Sequence, residues 1–158
     1  MRVQTRGLIE SRAYFTNTAK AFDGPAIENG MKRAAGIVEA AAKKNLVAYR
    51  SPAVGGVDTG VTRASVTSSV QSHSGQIVGI VGSPRINAAV METGSKPHWP
   101  PIKAIEGWAR RHGAVAFLVA RAIAKRGNIP RRFLSKALSS TYSRVLAEIN
   151  NTVGKIIR

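Results

Sequence analysis

The sequence predicts an α+β fold, with a long N-terminal helix packed on a small antiparallel sheet and followed by C-terminal helices. Three observations predict it. An apolar stripe with helical spacing occupies residues 25–48, short runs rich in β-branched residues fill the middle of the chain, and helical spacing returns after a Pro-rich break near residue 100. The 158 residues, 44% apolar and 20% charged, suit one folded domain with a core of its own rather than a disordered basic tail. The expected organisation is an N-terminal arm, residues 1–24, and a single α+β domain, residues 25–158.

The arm has no period, yet Leu8, Ile9, Tyr14, Phe15 and Phe22 are too apolar for a solvated tail, so it is expected to dock on its own domain or on a neighbouring subunit. Asp23-Gly24-Pro25 starts a helix, since Asp or Gly can cap and proline suits the first turn, where its missing N–H is not needed. Ile27, Met31, Ala34, Ala35, Val38, Ala41, Ala42 and Leu46 then recur at steps of three and four. Glu28 with Lys32, and Glu39 with Lys43, add i,i+4 pairs outside that stripe. Pro52, Gly55, Gly56 and Gly60 make the next stretch, Ser51 to Gly60, a loop.

Beyond the loop, alternation through Val66, Ser68 and Val70, and the β-branched runs Ile77 to Val81 and Ile86 to Met91, predict three short strands in an antiparallel meander. After Pro97-His98-Trp99-Pro100-Pro101 a helix carries Ile102, Ile105, Trp108 and Ala109 on one face up to Gly113. A second, Val115 to Arg126, is apolar around much of its girth. A third begins near Pro130, with Phe133 or Leu134, Ala137, Leu138, Tyr142, Val145, Ile149 and Ile156 as its stripe.

Composition narrows the function. With no cysteine, a disulfide scaffold, a Cys-ligated zinc site and a thiol nucleophile are excluded. The N-terminus lacks the apolar run of a signal peptide, and nowhere do about 18 apolar residues run together, so the chain reads as neither exported by that route nor embedded in a membrane. Twenty-four Lys and Arg against eight Asp and Glu give a net charge of +16, which favours an anionic partner. Residues 95–158 hold 13 of the basic and two of the acidic side chains. Arg110, Arg111, Arg121, Lys125, Arg126, Arg131, Arg132 and Lys136 place eight cations in 27 positions, a face able to track the phosphates of nucleic acid or to meet acidic protein subunits. No zinc-finger ligands, paired strand aromatics or helix-turn-helix accompany them.

The catalytic inventory is thin. Glu92 and His98 flank one loop and form the one acid/base pair worth naming, but a His within Lys-Pro-His-Trp-Pro-Pro reads more simply as a packing residue. His73 and His112 fall at turn or helix-end positions, where solvent exposure is expected. The glycines at 55, 56 and 60 lack the Lys-Ser or Lys-Thr of a phosphate loop. No catalytic, cofactor-binding or metal-binding set is expected.

Three segments, taken in order, carry a resemblance: Val57-Asp58-Thr59-Gly60-Val61-Thr62-Arg63-Ala64-Ser65, then Ala89-Val90-Met91-Glu92-Thr93-Gly94-Ser95, then Pro97-His98-Trp99-Pro100-Pro101. With Trp108, Val119 to Ala124, Gly127 and Pro130-Arg131-Arg132-Phe133-Leu134, they resemble the tail-completion or head-tail joining proteins of tailed-bacteriophage necks, often described as minor tail components. The resemblance covers about residues 25–150. Thr62 stands where Leu is common, Asn87-Ala88 where Tyr-Ala is frequent, and Ser95 where Thr is common.

That resemblance implies a non-enzymatic virion protein of the neck, assembled as a homo-oligomeric ring of six-fold symmetry between the head-completion or connector protein and the tail terminator or tail tube. Packaged double-stranded DNA would thread its channel, no membrane would be involved, and the protein would pass through the host cytoplasm during assembly. Asp58, Thr59, Gly60, Arg63, Ser65, Glu92, Gly94, His98 and Trp99 are then motif residues of assembly or structure. Asp58 can accept backbone N–H bonds in an Asx-type turn, Arg63 is expected to pair with Glu92 across neighbouring strands, and Trp99 among prolines suits an interface. Trp108 is expected to pack over the sheet. The alternatives are a free DNA-binding protein of the host cell, and an enzyme built on Glu92 and His98.

Overall fold

The computed structural model describes residues 24–48, 59–73 and 76–157. The N-terminal arm up to Asp23 and residues 51–58 of the Ser51 to Gly60 loop, Asp58 among them, lie outside the described residues. The order of elements is α1 (Pro25–Ala48), α2 (Val61–Ala64), β1 (Thr67–His73), β2 (Gln76–Gly82), α3 (Ile86–Thr93), α4 (Ile102–Arg111), α5 (Ala116–Arg126) and α6 (Phe133–Ile157). A long first helix, a two-stranded antiparallel sheet and C-terminal helices make the class α+β. Among the described residues, no helix is long and apolar enough to cross a membrane.

Residues 86–91, expected as a third strand, form α3 instead. Ser83-Pro84 stops the sheet, and the next ten residues contain Ala88, Ala89, Met91 and Glu92, good helix formers that outweigh the β-branched Ile86 and Val90. Once the segment is helical, Ala88 turns inward and is buried, while Ile86 stays exposed.

The chain divides into two compact units. Among the described residues, one comprises those up to Ile37, those within 68–80 and those from Thr141 onward; the other comprises those within 38–67 and 81–140. In the first, α1 lies against β2 at Gly79, where an added Cβ would come within 3.1 Å of Met31 Sδ and 3.5 Å of Ala35 Cβ. Gly30 meets α6 so closely that a Cβ there would overlap the side chain of Thr152. Arg33 completes this crossing, with Nε 2.5 Å from Glu148 Oε1 and Nη2 donating to Thr152 Oγ1 at 3.2 Å. Thr152 Oγ1 in turn donates to the Glu148 carbonyl at 2.9 Å, which satisfies a hydroxyl buried in the core.

In the second unit the buried apolar residues are Val38, Ala42, Leu46, Val66, Ala88, Ala109, Ala120, Phe133 and Ala137. Alanine dominates, so helices approach closely and few large side chains are covered; Phe133 and Val66 are the largest fully buried ones. Asn45 Nδ2 donates to the Phe133 carbonyl at 3.0 Å and ties α1 to the start of α6.

The stripe of α6 differs from the one expected. Phe133, Ala137, Thr141 and Thr152 are buried, whereas Leu138 and Tyr142 are more than half exposed. The inward face runs in steps of four from Phe133 to Thr141 and returns three turns later at Thr152, where the threonine hydroxyl finds a carbonyl one turn back.

Candidate functional site: the seam between residues 91–95 and 127–135

Two segments distant in sequence meet here, both within the second unit. Ser95 and Asn128 form an isolated antiparallel bridge, Ser95 N donating to the Asn128 carbonyl at 3.0 Å and Asn128 N to the Ser95 carbonyl at 3.2 Å. Asn128 Nδ2 adds a bond to Ser95 Oγ at 2.8 Å. Farther along, Arg131 N donates to the Met91 carbonyl at 2.7 Å. The backbones come too close for side chains at two points. Gly94 and Gly127 have φ of +76° and +69°, a Cβ on Gly94 would sit 2.5 Å from the Asn128 carbonyl oxygen, and one on Gly127 would overlap the Ser95 carbonyl.

Glu92 closes the seam. Its Oε2 accepts from Leu134 N at 2.8 Å, and its Oε1 accepts from Ser135 N at 3.0 Å and from Ser135 Oγ at 2.5 Å. Leu134 and Ser135 are the second and third residues of α6, and their amides are those a capping side chain normally satisfies. The residue before the helix is Arg132, whose side chain has no acceptor, so α6 takes its cap from α3. Burial of the carboxylate is the largest single influence on its pKa and raises it. Bonds from Ser135 Oγ and the Leu134 and Ser135 amides, with the Arg132 charge, outweigh that and hold it below the ordinary glutamate range. The expected Arg63–Glu92 pair is therefore corrected: Glu92 lies on a helix rather than a strand, and both of its oxygens are engaged at the start of α6.

The other motif residues lie around the hairpin and on the loop before α4. Gly60, with φ +75°, precedes α2, and Thr59 and Arg63 are exposed beside it. Ser65 Oγ donates to the Thr62 carbonyl at 2.8 Å and lies 2.8 Å from Ser83 Oγ. Ser65 and Ser83 flank the two ends of the hairpin, so this bond closes its open side. His98 is exposed, its Nδ1 2.9 Å from the Lys96 carbonyl. Trp99 is exposed and meets Phe117 edge to face, with ring centroids 5.8 Å apart. His112, expected at the surface, is half-buried: it stacks on Trp108 with centroids 4.4 Å apart, and its Nδ1 lies 2.9 Å from the Trp108 carbonyl.

Of the basic series, Arg110, Arg111, Arg121, Lys125, Arg126, Arg132 and Lys136 are exposed and Arg131 is half-buried; Arg111 and Arg131 also interact within the molecule. Arg126 joins Lys96, Asn128, Ile129 and Pro130 around an open hollow beside the seam. The partners that sequence reasoning missed are Asn128 and Ser135. One signal for them existed: a helix beginning at Phe133 after a residue unable to cap it requires an acceptor from elsewhere.

No family model, curated protein or solved structure matches this chain.

Proposed function

We propose that this chain is a non-enzymatic structural protein of a bacteriophage neck, forming a ring that joins the DNA-filled head to the tail. The observation that carries the reading is the seam. Glu92, Gly94 and Ser95, which carry part of the resemblance, are spent on Gly127, Asn128, Leu134 and Ser135, so these motif positions serve a joint in the fold rather than a reacting centre. Glu92, the proposed acid or base of an enzymatic reading, is held as an anion at the start of a helix, opposite to the raised pKa a general acid needs at neutral pH. A core built mainly of alanine leaves many larger apolar side chains uncovered on α5 and α6, as suits a subunit that completes its burial in an assembly.

The test is electron microscopy of lysates from a phage lacking this chain. Full heads beside separate, finished-length tails are the expected result; intact virions overturn the reading. The exposed cations of α4 and α5 favour a second reading, a free DNA-binding protein. On that reading the purified chain binds duplex DNA, and about 6 to 10 phosphate contacts would weaken binding by about 10³ to 10⁵ between about 50 and 200 mM salt.

A further inference from the structure

The exposed face of α5 has a composition that the seam does not use. Phe117 and Leu118, in its first turn, are 49% and 56% exposed, and Val115 just before it is 60% exposed. Trp99, 53% exposed, packs edge to face on Phe117 and is followed by two prolines that restrict its backbone. Arg121 lies four residues beyond Phe117 and Lys125 four beyond Arg121, so aromatic and cations share one stripe. Arg121 and Lys125 are exposed, and among the described residues neither forms an ion pair. Ala116, Val119 and Ile123, on the other side of α5, are only partly exposed, and Ala120 between that side and Phe117 is fully buried, so the stripe lies away from the covered face.

We infer that the Trp99–Phe117 knob and the Arg121–Lys125 end of α5 dock an acidic protein surface with an apolar pocket beside its carboxylates. The inference deepens the joining reading and rests on it for the adjoining protein. Charge complementarity selects the partner: a chain of net charge +16 whose cations here are unpaired repels a second copy of this face and attracts carboxylates. An aromatic anchor bordered by Arg is also the composition in which interface energy concentrates.

Other anionic partners fit less of the face. Duplex DNA would satisfy Arg121 and Lys125 but leave four apolar side chains without partners, because it presents phosphates and sugars outward. Single strands need flat platforms for stacking, whereas Trp99 and Phe117 meet at 62° and Val115 and Leu118 are aliphatic. A helix lying in a membrane interface is apolar along one whole side. On α5 the apolar and basic parts lie end to end, so immersing Phe117 would drag Arg121 and Lys125 on the same stripe toward the acyl region.

The experiment is fluorescence anisotropy with the full purified chain and four labelled probes: an amphipathic helical peptide with Leu on one face and Glu beside it, mixed-sequence duplex DNA, oligo-dT, and phosphatidylglycerol vesicles. The peptide is expected to bind in preference to the others. Trp99→Ala and Phe117→Ala each weaken it by about tenfold or more, and so does Arg121→Glu with Lys125→Glu. Arg144→Glu with Lys155→Glu, the same change of net charge on α6, leaves it within about twofold, and thermal melts verify that every variant is folded. The inference is overturned by failure of the peptide to bind, by peptide binding indifferent to Trp99 and Phe117, by tighter binding of DNA or vesicles through this face, or by self-association that Phe117→Ala abolishes. Because the purified chain is used, this outcome is independent of whether phage lacking the chain accumulate separate heads and tails.

Discussion

Glu92 caps a helix that begins some forty residues after it, accepting from both the amide and the hydroxyl of Ser135, 43 positions away. An N-terminal cap contributes about 0.5–2 kcal/mol, and a carboxylate near a helix N-terminus adds about 0.3–1 kcal/mol from the dipole. Glu92→Ala is therefore expected to lower stability by about 1–3 kcal/mol. Ser135→Ala, which leaves both amide bonds in place, should cost about 1 kcal/mol. Urea denaturation of the two variants measures the order; equal losses would mean that the Ser135 hydroxyl, rather than the helix amides, holds the carboxylate.

The same contact makes stability depend on acid. The folded Glu92 carboxyl has a pKa below its unfolded value, so its contribution is full above the unfolded value, about 4.3, and is lost as pH falls through the lower folded one. Glu92→Gln removes the titration. Denaturation midpoints tracked from neutral pH into the acid range should fall less steeply for Glu92→Gln than for the unaltered chain. Parallel curves would assign the acid limb to other carboxylates.

Three glycines with positive φ separate backbone strain from steric overlap. Gly113 has φ +62° and nothing within 4 Å of an added Cβ, so Gly113→Ala carries the conformational cost alone, about 1 kcal/mol. At Gly94 and Gly127 a methyl also meets backbone of the opposite strand of the seam. Gly94→Ala and Gly127→Ala should each cost about 2–4 kcal/mol. Thermal melts of the three variants check this, and a Gly127→Ala no worse than Gly113→Ala would contradict the close approach at Ser95.

The range of each interaction decides how much of the fold and the seam was legible in the sequence. The bounds of α1 lie where Pro25 and the stripe through Leu46 put them, because start signal and period are local. The segment 86–91 misled because Ile86 and Val90 are β-branched, while the decisive features are Pro84 before it and the helix formers between them. In α6, Leu138 and Tyr142 fit an apolar period, yet the buried face runs through Thr141 and Thr152, and the Thr152 hydroxyl bonds the carbonyl one turn back and so can be covered. The motif residues Glu92, Gly94 and Gly127 were visible as positions, but their roles were not, since Ser135 and Asn128 lie 33 or more residues from their partners and no local pattern joins them.

Gly30 supplies the last prediction, and its sign runs against helix propensity. In an exposed helix interior, Gly→Ala stabilises by about 1 kcal/mol. Gly30 is buried, and a Cβ there would overlap Oγ1, Cγ2 and Cβ of Thr152 on α6. The two helices would have to separate, which also lengthens the bonds from Arg33 to Glu148 and Thr152. Overpacking of this kind costs about 1–3 kcal/mol, enough to exceed the propensity gain, so Gly30→Ala should destabilise. Gly36→Ala, on the same helix with no atom within 4 Å of the new methyl, should stabilise by a few tenths to about 1 kcal/mol. Adding Thr152→Ala to Gly30→Ala removes the hydroxyl and one methyl from the overlap and should recover part of the loss. Chemical denaturation of these variants measures the crossing directly, and a stabilising Gly30→Ala would show that α1 and α6 do not meet at Thr152.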